Sequence, residues 1–194
     1  MGFVFRRLLV VVGLAACAVL VAPGGAAVAA SPVHDAARLI AYQQLLDTSR
    51  NVEVPSGSNC NFYAGYWGTG AGCANGWRSE AWCADFAKYV WRMAGANVSG
   101  LNASTESFRT YGIRHGTWHP TLAGIRPGAV AVFDDDGDPT STYHVGVIVE
   151  VGASGVQIIS GNVGDRIAKH DINQGGFNGD FIGYVSPVAP AAPR

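Results

Sequence analysis

The chain has 194 residues, 48% of them hydrophobic, with 26 glycines and a formal charge of -1. That balance excludes the basic field a nucleic-acid binder needs, and the length suits one domain with one real core. No repeat, long linker or second domain is visible in the pattern.

Residues 1–30 stand apart. Arg6 and Arg7 precede an apolar run from Leu8 to Ala22 and then a small-residue stretch ending at Ala30. This is the three-part pattern of a secretory signal peptide, with processing expected near Ala29 or Ala30. The apolar run falls short of the roughly 20 residues that a spanning helix needs, so no stable membrane insertion is expected after processing. Two other readings compete: "LAAC" at Leu14–Cys17 has the look of a lipobox that would lipidate Cys17, and the paired arginines fit a twin-arginine export signal. Removal of residues 1–30 takes two arginines and no acids, leaving 11 basic against 14 acidic side chains.

Residues 31–59 are expected to form an N-terminal helical extension. Within it, 33–49 reads as helix, with Ala36, Leu39, Tyr42 and Leu46 at helical spacing. Residues 50–78 read as irregular. Cys60 and Cys73 flank the glycine- and aromatic-rich "NFYAGYWGTGAG", and an exported chain tends to pair its thiols. A bond between these two would contribute roughly 3 kcal/mol on the loop-entropy view. It would leave Cys83 free, whereas a Cys73–Cys83 pairing would consume it.

Ser79 is a plausible N-cap for a helix over Glu80–Ala94, with Trp82, Phe86, Tyr89 or Val90, and Met93 as its apolar stripe. Asp85, Lys88 and Arg92 form its wet face, and Gly95 ends it. A short helix is expected at "STESFRTYG". The period then changes to strands at 127–133, 144–151, 156–160 and 181–185. Helices first and an antiparallel sheet after make an α+β pattern. A Pro/Ala-rich tail, 187–194, is expected to be loose.

The hairpin supplies geometry. If Val151 faces Val156, His144 faces Val163; a register shifted by one puts His144 opposite Asn162. Either register places His144 and Asn162 at the same end of one hairpin. A cysteine nucleophile needs a thiolate, which a helix N-terminus favours. A histidine completes activation as base, and a third polar group fixes the imidazole. Cys83, His144 and Asn162 supply these three roles. Taken singly, each has a plainer reading: a core thiol, a strand-start residue, a turn asparagine. His115 and His119 are weaker candidates for the base, and His34 and His170 have no local case.

"WCADFAKYVW", "PGAVAVF", "HVGVIVEV" and "ISGN", in that order, resemble a CHAP domain, the cysteine- and histidine-dependent amidohydrolase/peptidase family, over about residues 60–186. The surrounding "NFYAGYWG…GWRSEAWC" is similar to exported actinobacterial members. The resemblance implies a papain-like fold, Cys83 as nucleophile, His144 as base and Asn162 as the residue that orients it. It also implies an N-acetylmuramoyl-L-alanine amidase or an endopeptidase acting on peptidoglycan. Many members carry Glu two residues before that Asn; here the position is Ser160.

No cofactor is required by this chemistry. "DDDGDP" places Asp134, Asp136 and Asp138 in calcium-like alternation without the closing Glu of a full loop, and a solvated hairpin tip explains the same acids. No zinc-ligand spacing is present. The alternative from another class is a secreted binding or structural protein that keeps the fold without turnover, with 60–77 as its contact surface. An effector enzyme would share the catalytic chemistry.

Overall fold

The computed structural model describes residues 31–138, 140–173 and 179–190. The expected signal peptide, Cys17 and the last four residues lie outside them. Among the described residues, four helices come first: α1 (Pro32–Leu46), α2 (Phe62–Trp67), α3 (Cys83–Met93) and α4 (Glu106–His115). Six strands follow: β1 (Trp118–His119), β2 (Val130–Asp134), β3 (His144–Gly152), β4 (Gly155–Ser160), β5 (Ala168–Asp171) and β6 (Asp180–Val185). They form one antiparallel sheet in the order β1-β6-β2-β3-β4-β5. This is the α+β arrangement that the sequence pattern implies.

Helix α1 buries a different face from the expected one. His34, Ala37, Ala41 and Gln44 point inward, while Leu39 is 57% and Leu46 76% exposed. Two alanines allow a close approach to the core shared by α3 and β3. Polar anchors then fix the helix: His34 Nδ1 lies 2.9 Å from the Pro127 carbonyl, Arg38 Nε donates to the Val149 carbonyl at 2.8 Å, and Tyr63 Oη donates to Gln44 at 3.1 Å. Leucine spacing alone did not reveal this face, because the helix is held by polar contacts and small residues.

The 50–78 segment is more ordered than its composition implies. Cys60 and Cys73 form a disulfide, and among the described residues Cys83 is the free cysteine. The bridges Cys60↔Ser79, Thr69↔Trp77 and Gly72↔Arg78 draw residues 77–79 into extended structure. Ser79 therefore does not cap α3; its hydroxyl donates to the Ser58 carbonyl at 2.6 Å. Trp82 occupies the N-cap position and Cys83 is the first helical residue. Helix α2, not expected from sequence, stacks Tyr63 on Trp82 at 5.7 Å and sets Phe62 edge-on to Tyr89.

On α3, Trp82, Phe86, Tyr89 and Val90 are buried as expected, but Met93 is exposed and Asp85 is fully buried. Asp85 leaves the wet face because Arg78, brought over by the stapled loop, pairs with it at 2.9 Å.

The sheet has two apolar faces. Val130, Val132, Val145, Val147, Val149, Ile159 and Val185 meet the helices. Ala129, Ala131, Phe133, Ile148, Ile158 and Tyr184 form a smaller core on the other side. Both hairpin registers occur. Val151 pairs with Val156 beside the turn, and an irregularity between Ile148 and Glu150 shifts the ladder, so Val147 pairs with Ile159. Carried past the end of β4, the second register sets His144 against Asn162, two residues beyond the strand, where the backbone turns with a left-handed φ of 59°. Beyond β6, Ser186 and Val188 are hydrogen-bonded to Thr117 and Asn97.

Gly161 joins β4 to Asn162 at a point of close approach. A Cβ there would lie 2.6 Å from the Trp82 ring and 2.7 Å from Phe86 Cβ. Gly161→Ala is expected to lower stability by roughly 1–3 kcal/mol through overpacking. A urea midpoint equal to that of the unaltered protein would show that the Trp82 packing yields.

Candidate active site

Cys83 lies at the point where α3 meets the start of β3. Free N–H groups at the head of the helix favour an anion there. The backbone N–H groups of Val145, Ala84 and Cys83 itself all act on the sulfur in that sense. Val145 follows His144 directly, so the thiol reaches the backbone beside the expected base. Burial nevertheless wins. Cys83 is 5% exposed, and desolvation pushes its thiol up to about 11, with the Asp85 charge adding to the rise. The helix N-terminus expected from sequence is present, but the net direction of the shift is the reverse of the expected one.

His144 heads β3, opposite Phe133, and its ring lies 6.1 Å from the Phe133 ring. Burial drops its pKa to about 3, and charge on His170 acts in the same direction. Its Nε2 is buried with no hydrogen-bond partner. Asn162 is half-buried, directly after the Gly161 that packs on Trp82, and its amide is not bonded to that nitrogen. The fold thus gathers Cys83, His144 and Asn162 around one end of the β3–β4 hairpin without bonding the imidazole to the amide. Catalytic hydrogen bonds are often loose in unliganded enzymes and tighten around substrate.

Three buried polar features were not found from sequence. His170 on β5 places Nε2 3.2 Å from Ser160 Oγ, and both residues are buried. A strand at 168–171 carries no alternation strong enough to signal it; the signal available was that a buried Ser160 needs a partner. Glu53, read as part of an irregular stretch, accepts from Trp82 Nε1 and from the Asn59 N–H, each at 2.8 Å. Asp85 carries a carboxyl raised by burial against the opposing pull of Arg78, which also holds Glu80 at 2.6 Å. Of the other histidines, His115 lies against Tyr111 and His119 stacks on Tyr184.

The Asp134 and Asp136 carboxylates accept backbone N–H groups from Gly137 at 2.8 Å and Asp138 at 2.9 Å, turns internal to the acidic loop. Among the described residues, no three His, Cys, Asp or Glu side chains are grouped to hold a metal. A cavity of about 390 Å³ runs along the stapled segment, lined in part by Arg50, Phe62, Asn75 and Trp77. None of the three candidate residues lines it.

A family model described as "CHAP domain" matches residues 50–162, more than half of the chain. The chain is also similar to a solved structure described as the crystal structure of Ly7917 with the hydrolyzing product of MDP. The identity is 16% and the TM-score 0.42, over 79% of this chain and 62% of that one. The chain therefore spans less than two thirds of that protein's length. No curated protein matches it.

Two pH effects follow from the buried pair. A thiol near 11 is protonated at neutral pH, so iodoacetamide labelling of folded Cys83 should accelerate about tenfold per unit between pH 7 and 9. A rate already level by pH 8 would contradict the raised thiol. His144 takes its proton first in the unfolded chain, whose value is 6.5 against about 3 when folded. Its contribution to stability is therefore full above pH 6.5 and lost as pH falls toward 3. Asp85, raised on folding, titrates in the opposite sense, so the effect is read as the difference between the protein and His144→Gln. The variant should show the flatter acid limb in thermal melts.

Proposed function

The chain belongs to the CHAP-domain family of amidohydrolases and peptidases, and from that membership we propose a secreted cysteine hydrolase that cleaves amide bonds of cell-wall peptidoglycan. The observation that carries the reading is the placement of Cys83 at the head of α3, with its sulfur against the N–H of the residue after His144.

In this mechanism, Cys83 and His144 both rest neutral. As the sulfur attacks the substrate carbonyl, His144 takes the thiol proton, and the S–C bond forms as the carbonyl π pair moves to oxygen. The backbone N–H of Cys83 contributes to stabilising that oxyanion. Collapse of the intermediate expels the amine, which receives the proton from His144. Water, deprotonated by the same imidazole, then cleaves the thioester and returns the thiol. Asn162 supplies the polar group that steadies the ring once substrate closes the site. A neutral resting pair makes the proton transfer part of the attack rather than a prior step.

Export is part of the proposal. The Cys60–Cys73 bond suits an oxidising compartment, and no helix among the described residues is long and apolar enough to cross a membrane.

The test is hydrolysis of isolated peptidoglycan by the purified protein beside Cys83→Ala and His144→Ala. Soluble fragments should appear with the unaltered protein and be lost, by at least about a thousandfold, with either variant. Fragment masses then name the bond, separating amidase from endopeptidase. Wall material of several chemotypes left intact by folded, reduced protein would favour the non-catalytic binding protein instead.

A further inference from the structure

We propose that Ser160 and His170 form a hydrogen-bonded pair that positions the imidazole of His144 and holds it with the proton on Nε2. The inference rests on the reading of His144 as the general base.

The placement comes from the sheet. Side chains alternate along strands, so His144, Gly146 and Ile148 of β3 share a face. Across the ladders, Ile158 of β4 pairs with His170 of β5, and Ser160 lies on the same face of β4 as Ile158. Gly146 leaves room for the hydroxyl: a Cβ there would sit 2.3 Å from Ser160 Oγ. The hydroxyl therefore lies over the residue two places along from His144. Ser160 and His170 are both buried, and no water-facing function explains two polar groups meeting at 3.2 Å in that layer.

Proton bookkeeping gives the pair a direction. His170 Nδ1 lies 3.3 Å from the Asp171 carbonyl oxygen, which can only accept. Nδ1 therefore donates, and in the neutral ring Nε2 is left to accept. Ser160 must then give its one proton to His170 Nε2. What the hydroxyl still offers is acceptor capacity alone. His144 Nε2, which has no partner, is buried on the same face of the sheet, and charge on His170 acts on that ring. A neighbour that can only accept favours a proton on that nitrogen, which leaves Nδ1 of His144 with its lone pair as the base. As His144 becomes cationic during attack, the same oxygen gains a stronger partner, and the pair then fixes the ring by a charge-assisted bond.

The experiment is long-range nitrogen–proton correlation NMR of the histidine rings at pH 7, with hydrolysis kinetics alongside. Four forms are compared: the unaltered protein, Ser160→Ala, His170→Phe and His170→Gln. The unaltered protein should show His144 as a single Nε2–H form. Ser160→Ala and His170→Phe should give a mixture of the two neutral forms. Their kcat should be roughly tenfold lower at unchanged KM, the size of one hydrogen bond to a group that becomes charged. His170→Gln, whose amide oxygen still accepts from Ser160, should retain the single form and most of the rate. An Nε2–H signal unchanged in folded Ser160→Ala or His170→Phe overturns the proposal, as does an unaltered protein in the Nδ1–H form. If both disruptive variants unfold by near-ultraviolet circular dichroism, the forms seen in the unaltered protein and His170→Gln decide it. The ring spectra need no turnover, so a protein inactive on peptidoglycan would defeat the proposed function while the spectra still judge the pair.

Discussion

Desolvation where α3 meets β3 is the constraint from which the rest of the site follows. Three backbone N–H groups act on the Cys83 sulfur, which would ordinarily make a thiolate cheap. Removing the sulfur from water costs more than those dipoles return. The same burial keeps the imidazole of His144 uncharged. Thiol and imidazole are thus both pushed toward their neutral forms by one cause. An ion pair at rest would require both shifts to be reversed together.

That burial depends on a scaffold outside the helix and the strand. The disulfide-closed segment carries Arg78 onto Asp85, two residues into α3, and Glu53 fixes the indole of Trp82 immediately before Cys83. Each interaction gives a buried polar group a partner, and leaving it without one would cost several kcal/mol; only one of the two Asp85 carboxylate oxygens is reached. On the far side, Gly161 lets the β4 terminus press against Trp82 and Phe86, which brings Asn162 to the same corner. The head of α3 is therefore clamped from two directions by polar bonds and one close contact. This explains how a cysteine on the first helical residue comes to be buried.

Much of the architecture was legible in the primary structure. The period change after residue 126 announced the sheet, Cys60–Cys73 was one of two pairings the sequence left open, and the alternation of β3 and β4 put His144 and Asn162 at one end of a hairpin. The misses share a physical cause. The buried face of α1 is made of alanines and hydrogen-bonded polar residues, so a leucine count pointed outward. Asp85 looked solvated because its partner Arg78 reaches it only through loop bridges. Strand β5 is short and half-polar, and so His170 had no pattern to mark it.

The sequence by itself determined the order of elements, an odd cysteine count in residues 31–194 and the membership of chemistry-bearing residues in one hairpin and one helix, because periodicity and cysteine count are local properties; which cysteine stays free was decided by the fold. Tertiary structure alone decided the electrostatics. Whether a thiol at a helix N-terminus is lowered or raised depends on the balance of N–H dipoles against lost solvent, and that balance is set by what covers the residue. Likewise, the partner of Ser160 lies ten residues away, across the β4–β5 ladder. Hydrogen bonds between strands are fixed by register, and register is settled only when both faces of the sheet have been buried.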